Sequence, residues 1–374
     1  MATYSKSTVA SGSDSFRDFC CFPCLENKID QWADFYCENC QKFYCAKCIN
    51  RHGQLFGTHV TYGRGDTSKW PVAKEVEDFL QKCDLHEDKH LEMFCEDHSQ
   101  LCCTNCVDQV FIVQGKSEYN VSIPSDLDKN CYINDICVLS EDQILVADCK
   151  NNRVKLLNHQ YQVVGHYDFY GYPRDMCKIT PSEVAVTVYQ GDLLEVQFVS
   201  VNGGQLVKGR WMLQFYHECI GIAHDLQDLY LTSGTALYKY SMKGDLLKKL
   251  YEDTSDKLTV LKCAVSPSGD KIFITNNTHH KVLTLARDGT VLQTFTDPDL
   301  QNPAGIHVTA LGQVLVCGTS SSTIIQLDGE GKKKLATLAT KRDRLDEPNS
   351  VFYNRSTAFI ILGQWSSILV LRVK

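Results

Sequence analysis

The chain opens MATYSKSTVASGSDSF, with no apolar run and no small-residue cleavage pattern, and no apolar stretch of about 18 residues follows anywhere. The first absence argues against a secretory leader, and the second against a membrane-spanning helix. The expectation is an intracellular, cytoplasmic protein that makes no membrane contact. An excess of positive charge is also missing. Lys and Arg number 38 against 45 Asp and Glu, a net charge of −7, with about −6 of it before residue 116 and about −1 after. A general nucleic-acid binder is normally basic, and the short tracts Lys332, Lys333, Lys334 and Lys341, Arg342, Arg344 read as solvated loops. Sustained heptads are lacking, which argues against a long coiled coil. No nucleophile elbow, phosphate loop or metal-hydrolase spacing occurs either, so catalytic residues are not assigned.

What the chain has is cysteine. Of its 19, twelve lie between Cys20 and Cys106 and seven are scattered singly from Cys131 to Cys317. In a reducing compartment, clustered cysteine points to metal rather than disulfides. From Cys21 the pattern is Cys21-x2-Cys24-x12-Cys37-x2-Cys40-x4-Cys45-x2-Cys48-x3-His52-x6-His59. A Cys-x2-Cys pair can reach one ion from a single tight turn, and two pairs complete a tetrahedral zinc shell. Eight ligands therefore imply two Zn2+ ions. The spacer between Cys40 and Cys45 is too short to keep neighbouring pairs independent, so the pairs interleave. Cys21, Cys24, Cys45 and Cys48 form site 1, and Cys37, Cys40, His52 and His59 form site 2. About 40 residues cannot bury enough apolar surface to fold unaided, and structural zinc supplies what the core lacks. With every position filled by protein, no site remains for an activated water. Cys20 is left as a spare thiol.

After the linker GRGDTSKW, the segment PVAKEVEDFLQ reads as a short amphipathic helix with Val72, Val76, Phe79 and Leu80 on one face. A second cluster follows as Cys83-x2-His86-x8-Cys95-x2-His98-x4-Cys103-x2-Cys106. The same interleaving assigns Cys83, His86, Cys103 and Cys106 to site 3. Cys95 and His98 remain as half of a fourth, since VDQVFIVQGKSEYNV offers no His or Cys to complete it. The expectation is thus three bound zinc ions and an incomplete fourth site.

The two clusters resemble tandem B-boxes, type 1 then type 2, of the tripartite-motif family, and CDLHEDKHLEMFCEDHSQLCC is similar to type 2 boxes of invertebrate, molluscan-like members. The second box departs from the family in lacking its closing His/Cys pair. Two further family elements are expected to be absent. Only about 20 residues precede Cys21, too few for a RING finger, and no coiled coil follows Cys106.

From about residue 132 short alternating apolar runs take over, and one strand recurs as ILVADCKNNRV, EVAVTVYQGDL, DLYLTSGTAL, KIFITNNTHHKV, QVLVCGTSSSTI and FIILGQWSSIL. Aligning Asp148, Val188, Ser233, Asn276, Gly318 and Gly363 gives steps of 40, 45, 43, 42 and 45 residues, the period of four-stranded propeller blades. The sixth repeat reaches Lys374 without an outer strand, so EYNVSIPSD near Tyr119 is expected to supply it and close the ring. The region resembles the NHL-type propellers of tripartite-motif proteins. Asp135, Asp175, His224, His279, His280 and His307 read as blade residues that satisfy backbone groups, and Cys137, Cys177 and Cys263 as small core residues.

The fold class expected is mainly β: small zinc-stabilised α+β B-box modules followed by a six-bladed β-propeller. The domains are residues 1–19 (disordered), 20–62 (first box), 63–82 (linker and short helix), 83–107 (truncated second box) and 116–374 (propeller). The function expected is a non-catalytic protein-interaction adaptor or scaffold, accessory to ubiquitin-ligase pathways. It is monomeric or weakly associated through its boxes and engages protein partners through boxes and propeller face. RNA binding by the propeller is the second reading and a propeller hydrolase the third.

Overall fold

The computed structural model describes residues 21–27, 29, 31, 33–63, 69, 93–95, 100–102, 110–191, 193–225 and 227–374. The chain divides into two compact units, Met1–Cys106 and Val107–Lys374. The expected disordered start 1–19, the spare thiol Cys20 and the helix over PVAKEVEDFLQ lie outside the described residues.

In the first unit, helix α1 (Phe22–Glu26) precedes β1 (Phe35–Cys37), β2 (Lys42–Tyr44), α2 (Ala46–Leu55) and β3 (Thr61–Gly63). The strands form a small antiparallel sheet with β1 at its centre, Phe35 facing Tyr44 on one side and Gly63 on the other. A two-stranded hairpin, β4 (Met93–Cys95) with β5 (Gln100–Cys102), follows. Three-residue strands and one ten-residue helix make little core. Among its described residues, Ala33, Tyr36 and Tyr44 are the buried apolar ones besides cysteines. So small an interior does not hold a chain folded by apolar burial alone.

The second unit is a six-bladed propeller. Blades one to five are β7–β10 (Ile133–Val138, Ile144–Asp148, Arg153–Leu157, Val163–Asp168), β11–β14 (Tyr172–Thr180, Glu183–Gln190, Leu193–Asn202, Gln205–Gln214), β15–β18 (Ile222–His224, Asp228–Thr232, Ala236–Ser241, Leu246–Glu252), β19–β22 (Cys263–Val265, Lys271–Asn276, Lys281–Ala286, Val291–Thr296) and β23–β26 (Pro303–Val308, Val314–Gly318, Thr323–Leu327, Lys334–Ala339). Blade six joins β27 (Ser350–Asn354), β28 (Phe359–Gly363) and β29 (Ser367–Val373) to β6 (Val113–Asn120), with Ser367 opposite Asn120 and Val370 opposite Ser117. The closing strand starts three residues before the expected boundary at 116. Val121–Asp126, expected to continue it, instead turns inward, where the Val121 carbonyl accepts a hydrogen bond from Lys155.

Second strands such as Ile144–Asp148 and Val314–Gly318 are buried at every residue, the pattern of a strand covered on both faces. Six apolar clusters result, one between each pair of neighbouring blades, including the junction of blade six with blade one, where Ile133 and Val146 meet Ile361 and Val370. A repeated hydroxyl latch crosses three junctions: Thr187, Thr232 and Thr275 donate to the carbonyls of Ile220, Leu261 and Ala304 on the next blade. Outer turns pack back on the preceding blade. Gly289, at φ +95°, sits so close to Leu250 that a Cβ would drive into its carbonyl oxygen. Gly289→Ala is therefore expected to cost about 1–3 kcal/mol through backbone strain and overpacking, read as a lower urea midpoint at unchanged m-value.

Candidate metal centre and the charged propeller interior

The ligand-type residues of the first unit sit where its short elements begin and end. Cys21 precedes α1 and Cys24 lies within it, Cys37 and Cys40 flank the β1–β2 turn, Cys45 caps α2, Cys48 and His52 lie on α2 one turn apart, and His59 follows it. The structure gathers these eight into two sets, Cys21, Cys24, Cys45 and Cys48 in one and Cys37, Cys40, His52 and His59 in the other, with donor atoms of each set within 4.8 Å of one another. These are the same two groupings that the interleaved spacing assigns.

The donor spacing fits a four-coordinate ion. A tetrahedral zinc with Zn–S near 2.3 Å and Zn–N near 2.05 Å places thiolates about 3.8 Å apart and a thiolate about 3.6 Å from an imidazole. Cys24 Sγ lies 3.9 Å from Cys45 Sγ and 3.8 Å from Cys48 Sγ. Cys37 Sγ is 3.6 Å from His59 Nδ1, and Cys40 Sγ is 3.2 Å from His52 Nε2 and 3.3 Å from His59 Nδ1. Burial pushes the Cys24 thiol up to about 11. Burial also acts to raise Cys45, but the backbone N–H of Cys48, the Cys21 thiol and the Lys47 N–H outweigh it and hold Cys45 at about 7. An ion at this set must displace the Cys24 proton, so metal affinity rises with pH. His52 is buried between Tyr44 and Phe56, and its Nδ1 has no hydrogen-bond partner.

Of the second cluster, Cys83, His86, His98, Cys103 and Cys106 lie outside the described residues, and only the backbone of Cys95 is described, at the end of β4.

Two charged clusters in the propeller are not assigned by sequence spacing. Asp126, Cys131 and Asp148 bring three potential ligand atoms together, but a cation is already there. Lys155 Nζ lies 2.7 Å from Asp126, 2.8 Å from Asp148, 3.3 Å from Cys131 Sγ and 2.9 Å from the Val121 carbonyl, all without exposure of the lysine. Burial acts to lower the Lys155 pKa, and the two carboxylates more than reverse it. Arg153 adds a 2.9 Å pair to Asp126. Second, Lys262 of blade four spans the channel to Asp175 of blade two at 2.7 Å and Asp135 of blade one at 3.6 Å, and donates to the Asn134 carbonyl.

The expected blade roles of Asp135 and Asp175 are visible, since they accept from the Met176 and Ile222 amides of the following blades. His280 Nδ1 accepts from the Asn302 amide, and His307 is half-buried, packed against the Phe352 ring, and desolvation pushes it down to about 4. Cys137, Cys263 and Cys317 are buried, while Cys177 is half-buried. Among the described residues, no helix is long and apolar enough to cross a membrane.

A profile of the NHL repeat matches residues 130–155, the segment from the entrance of blade one through Lys155. No curated protein matches the chain. A protein of unknown function from Bacteroides thetaiotaomicron superposes with a TM-score of 0.55 at 12% identity, over 70% of this chain and 76% of that one. Two structures of virginiamycin B lyase from Staphylococcus aureus superpose with TM-scores of 0.50, one selenomethionine-substituted at 12% identity and one catalytically inactive with quinupristin at 11%. Each covers 69% of this chain and 99% of its own. At such identities the likeness speaks for the propeller fold and not for chemistry.

Proposed function

We propose that the chain is a zinc-bearing B-box protein of the tripartite-motif type, in which the metal is structural and an NHL-like propeller docks a protein partner, so that the whole acts as a non-catalytic adaptor. The observation that carries this reading is the double donor set of the first unit. Two interleaved tetrahedra made wholly of protein thiols and imidazoles leave no position for substrate or water. Thiolate-rich tetrahedral sets select zinc among available divalent ions, and a reducing, cytoplasmic setting keeps the thiols free to ligate. The Lys262 cluster supports an interaction role over hydrolysis, because its charges are engaged with one another rather than aimed at a reacting atom.

The basic tract gives the RNA reading limited support. The Lys334 ammonium is held by Asp297 at 3.0 Å and Asp299 at 2.7 Å, while Lys332 and Lys333 cap Asp328 through their backbone amides. That leaves the tract at most two ammonium groups to offer a phosphate.

Elemental analysis of the purified chain is expected to give three zinc ions, two from the ligand set Cys21 to His59 and one from the second cluster, and incubation with ubiquitin, activating enzyme and a charged conjugating enzyme is expected to give no transfer. Discharge of the conjugating enzyme by this chain alone, or a zinc content below two, would sink the proposal.

A further inference from the structure

Residues in or beside the first strands of all six blades converge on a cavity of about 460 Å³ at one mouth of the propeller channel. That volume lies within the range of ordinary ligand sites, roughly 300–1,000 Å³. Among the described residues its lining carries two cations, Lys262 and Arg174, and no carboxylate. The two cations differ in what they can offer a ligand.

Lys262 is already engaged. It is buried, donates to the Asn134 carbonyl, and pairs with Asp175 at 2.7 Å and Asp135 at 3.6 Å. Neither carboxyl lines the cavity, and the two share a side-chain hydrogen bond. Such a bond holds one proton between two carboxyls, so the set carries one negative charge against one ammonium and is neutral. Arg174 is not so engaged. One face of its guanidinium lies 4.2 Å from the Tyr189 ring, and Glu218, itself half exposed, stands at 3.6 Å, too far for a hydrogen bond and screened by solvent. Among the described residues its N–H groups find no acceptor, and the side chain is 25% exposed. The charge presented to the cavity is that of Arg174.

The rest of the lining divides by chemistry. The Tyr132 hydroxyl accepts from Asn349 Nδ2 and, among the described residues, has no acceptor for its own proton. Asn349 Nδ2 also donates to the Glu347 carbonyl, and Asn302 Nδ2 to Asn277. With those donors used, both amide side chains keep their carbonyl oxygens as acceptors. Ile220 and Leu258 add a continuous apolar wall, both adjoining the position of Gly234. A ligand that matches this lining has an anionic group for Arg174 and Tyr132, an N–H for the amide oxygens and an apolar side chain for the wall. The last residue of a polypeptide has all three.

We infer that this cavity receives the C-terminal residue of a partner polypeptide, its carboxylate taken by Arg174 and the Tyr132 hydroxyl, its backbone N–H by the side-chain oxygen of Asn302 or Asn349, and its aliphatic side chain by Ile220 and Leu258. The inference rests on the docking role proposed above and names what docks. A guanidinium suits the task because its planar fork meets a carboxylate with two parallel hydrogen bonds. Proton linkage follows. Burial pushes Asp135 up to about 7, with Lys262 opposing and Asp175 adding to the rise, and the amides of Ile136 and Met176 also face its carboxyl. The thiols of Cys137, Cys177 and Cys317, which burial keeps protonated, lie within reach of its charge. A terminal carboxylate is ionised from about pH 4 upward, whereas loss of the Asp135 proton adds a negative charge beside Lys262. The anion therefore binds the protonated form, and affinity falls as pH climbs through about 7.

The test is calorimetric titration of the full chain with acetyl-Gly-Ser-Ala-Leu as the free acid and as the C-terminal amide, which has the same shape without the charge. The acid is expected to bind at least about tenfold tighter, the margin of a charge-assisted contact, and Arg174→Gln should remove that margin. Affinity for the acid should fall about tenfold between about pH 6 and about pH 8, as the competent protonated fraction shrinks. Asp135→Asn, neutral at every pH, should hold it at the low-pH value. Should this variant misfold by circular dichroism, Arg174→Gln at the rim and the pH profile of the unaltered chain carry the test. Acetyl-leucine keeps the carboxylate, one N–H and the side chain, and as a free small acid it should bind more weakly than the tetrapeptide. Equal binding of acid and amide, no heat up to about 1 mM, affinity that climbs with pH, or acetyl-leucine binding as tightly as the tetrapeptide would overturn the inference. Those results, with zinc content and absence of ubiquitin transfer as expected, would remove the tail pocket and leave the adaptor. Ubiquitin transfer with acid selectivity intact would do the reverse.

Discussion

Cys45→Ser should strip both metal ions from the donor sets between Cys21 and His59 and unfold residues 33–63, while the propeller stays folded. Cys45 is both a member of the first donor set and the residue that starts α2. A structural zinc contributes roughly 10–16 kcal/mol of apparent binding energy, and a module of this size has no comparable apolar reserve. The coupling between sites runs through α2, where Cys48 of the first set and His52 of the second are separated by one turn. Losing the first ion frees the start of that helix and with it the geometry of the second. Native mass spectrometry should therefore show a loss of two ions rather than one. Hydrogen exchange should become fast across 33–63, with protection unchanged in the propeller, which has its own six apolar clusters. Loss of a single ion with the helix still protected would show that the two sites are independent.

Lys155→Met is expected to cost the propeller about 3–5 kcal/mol, because removing one partner of a buried ion cluster leaves the others charged and uncompensated. The substitution preserves length and apolar stem, so the cost is electrostatic rather than a cavity. Asp126 keeps Arg153 at 2.9 Å, whereas Asp148 is left with the Tyr132 amide and the Asn151 side chain. Asp148 is therefore the residue stranded, and adding Asp148→Asn should recover much of the loss. Urea unfolding of the single and double variants, analysed as a cycle, checks both statements. A cost under about 1 kcal/mol for Lys155→Met, or no recovery in the double variant, would mean that the cluster contributes little.

The difference between what the sequence discloses and what it conceals follows from the range of the interactions. Cys21 to His59 are legible because metal chemistry is written in close pairs, and interleaving is forced by the short Cys40–Cys45 spacer. The blades are legible because turns recur at a fixed period. Lys155 and Lys262 are not. Each looks like an ordinary polar residue, and what makes it special lies far along the chain: Asp126 is 29 residues from Lys155, and the Asn134 carbonyl is 128 from Lys262. The one available hint is Arg153–Leu157 itself, an RVKLL strand buried at every position, in which two charged side chains demand partners. The residue pattern puts the closing strand a few residues late for a related reason. Its outer face is exposed at most positions, so no hydrophobic pattern marks where pairing stops.

The way the ring closes also sets an order in time. Val113–Asn120 leaves the ribosome before any blade exists, yet its partner Ser367–Val373 is the last strand of the sheet series to be made. Throughout synthesis of the blades the earliest strand waits with an open edge, which nascent chains can mispair. Closure of the propeller is thus gated by synthesis of Ser367–Val373, and a ribosome stalled within blade six would hold five finished blades and an unsealed ring.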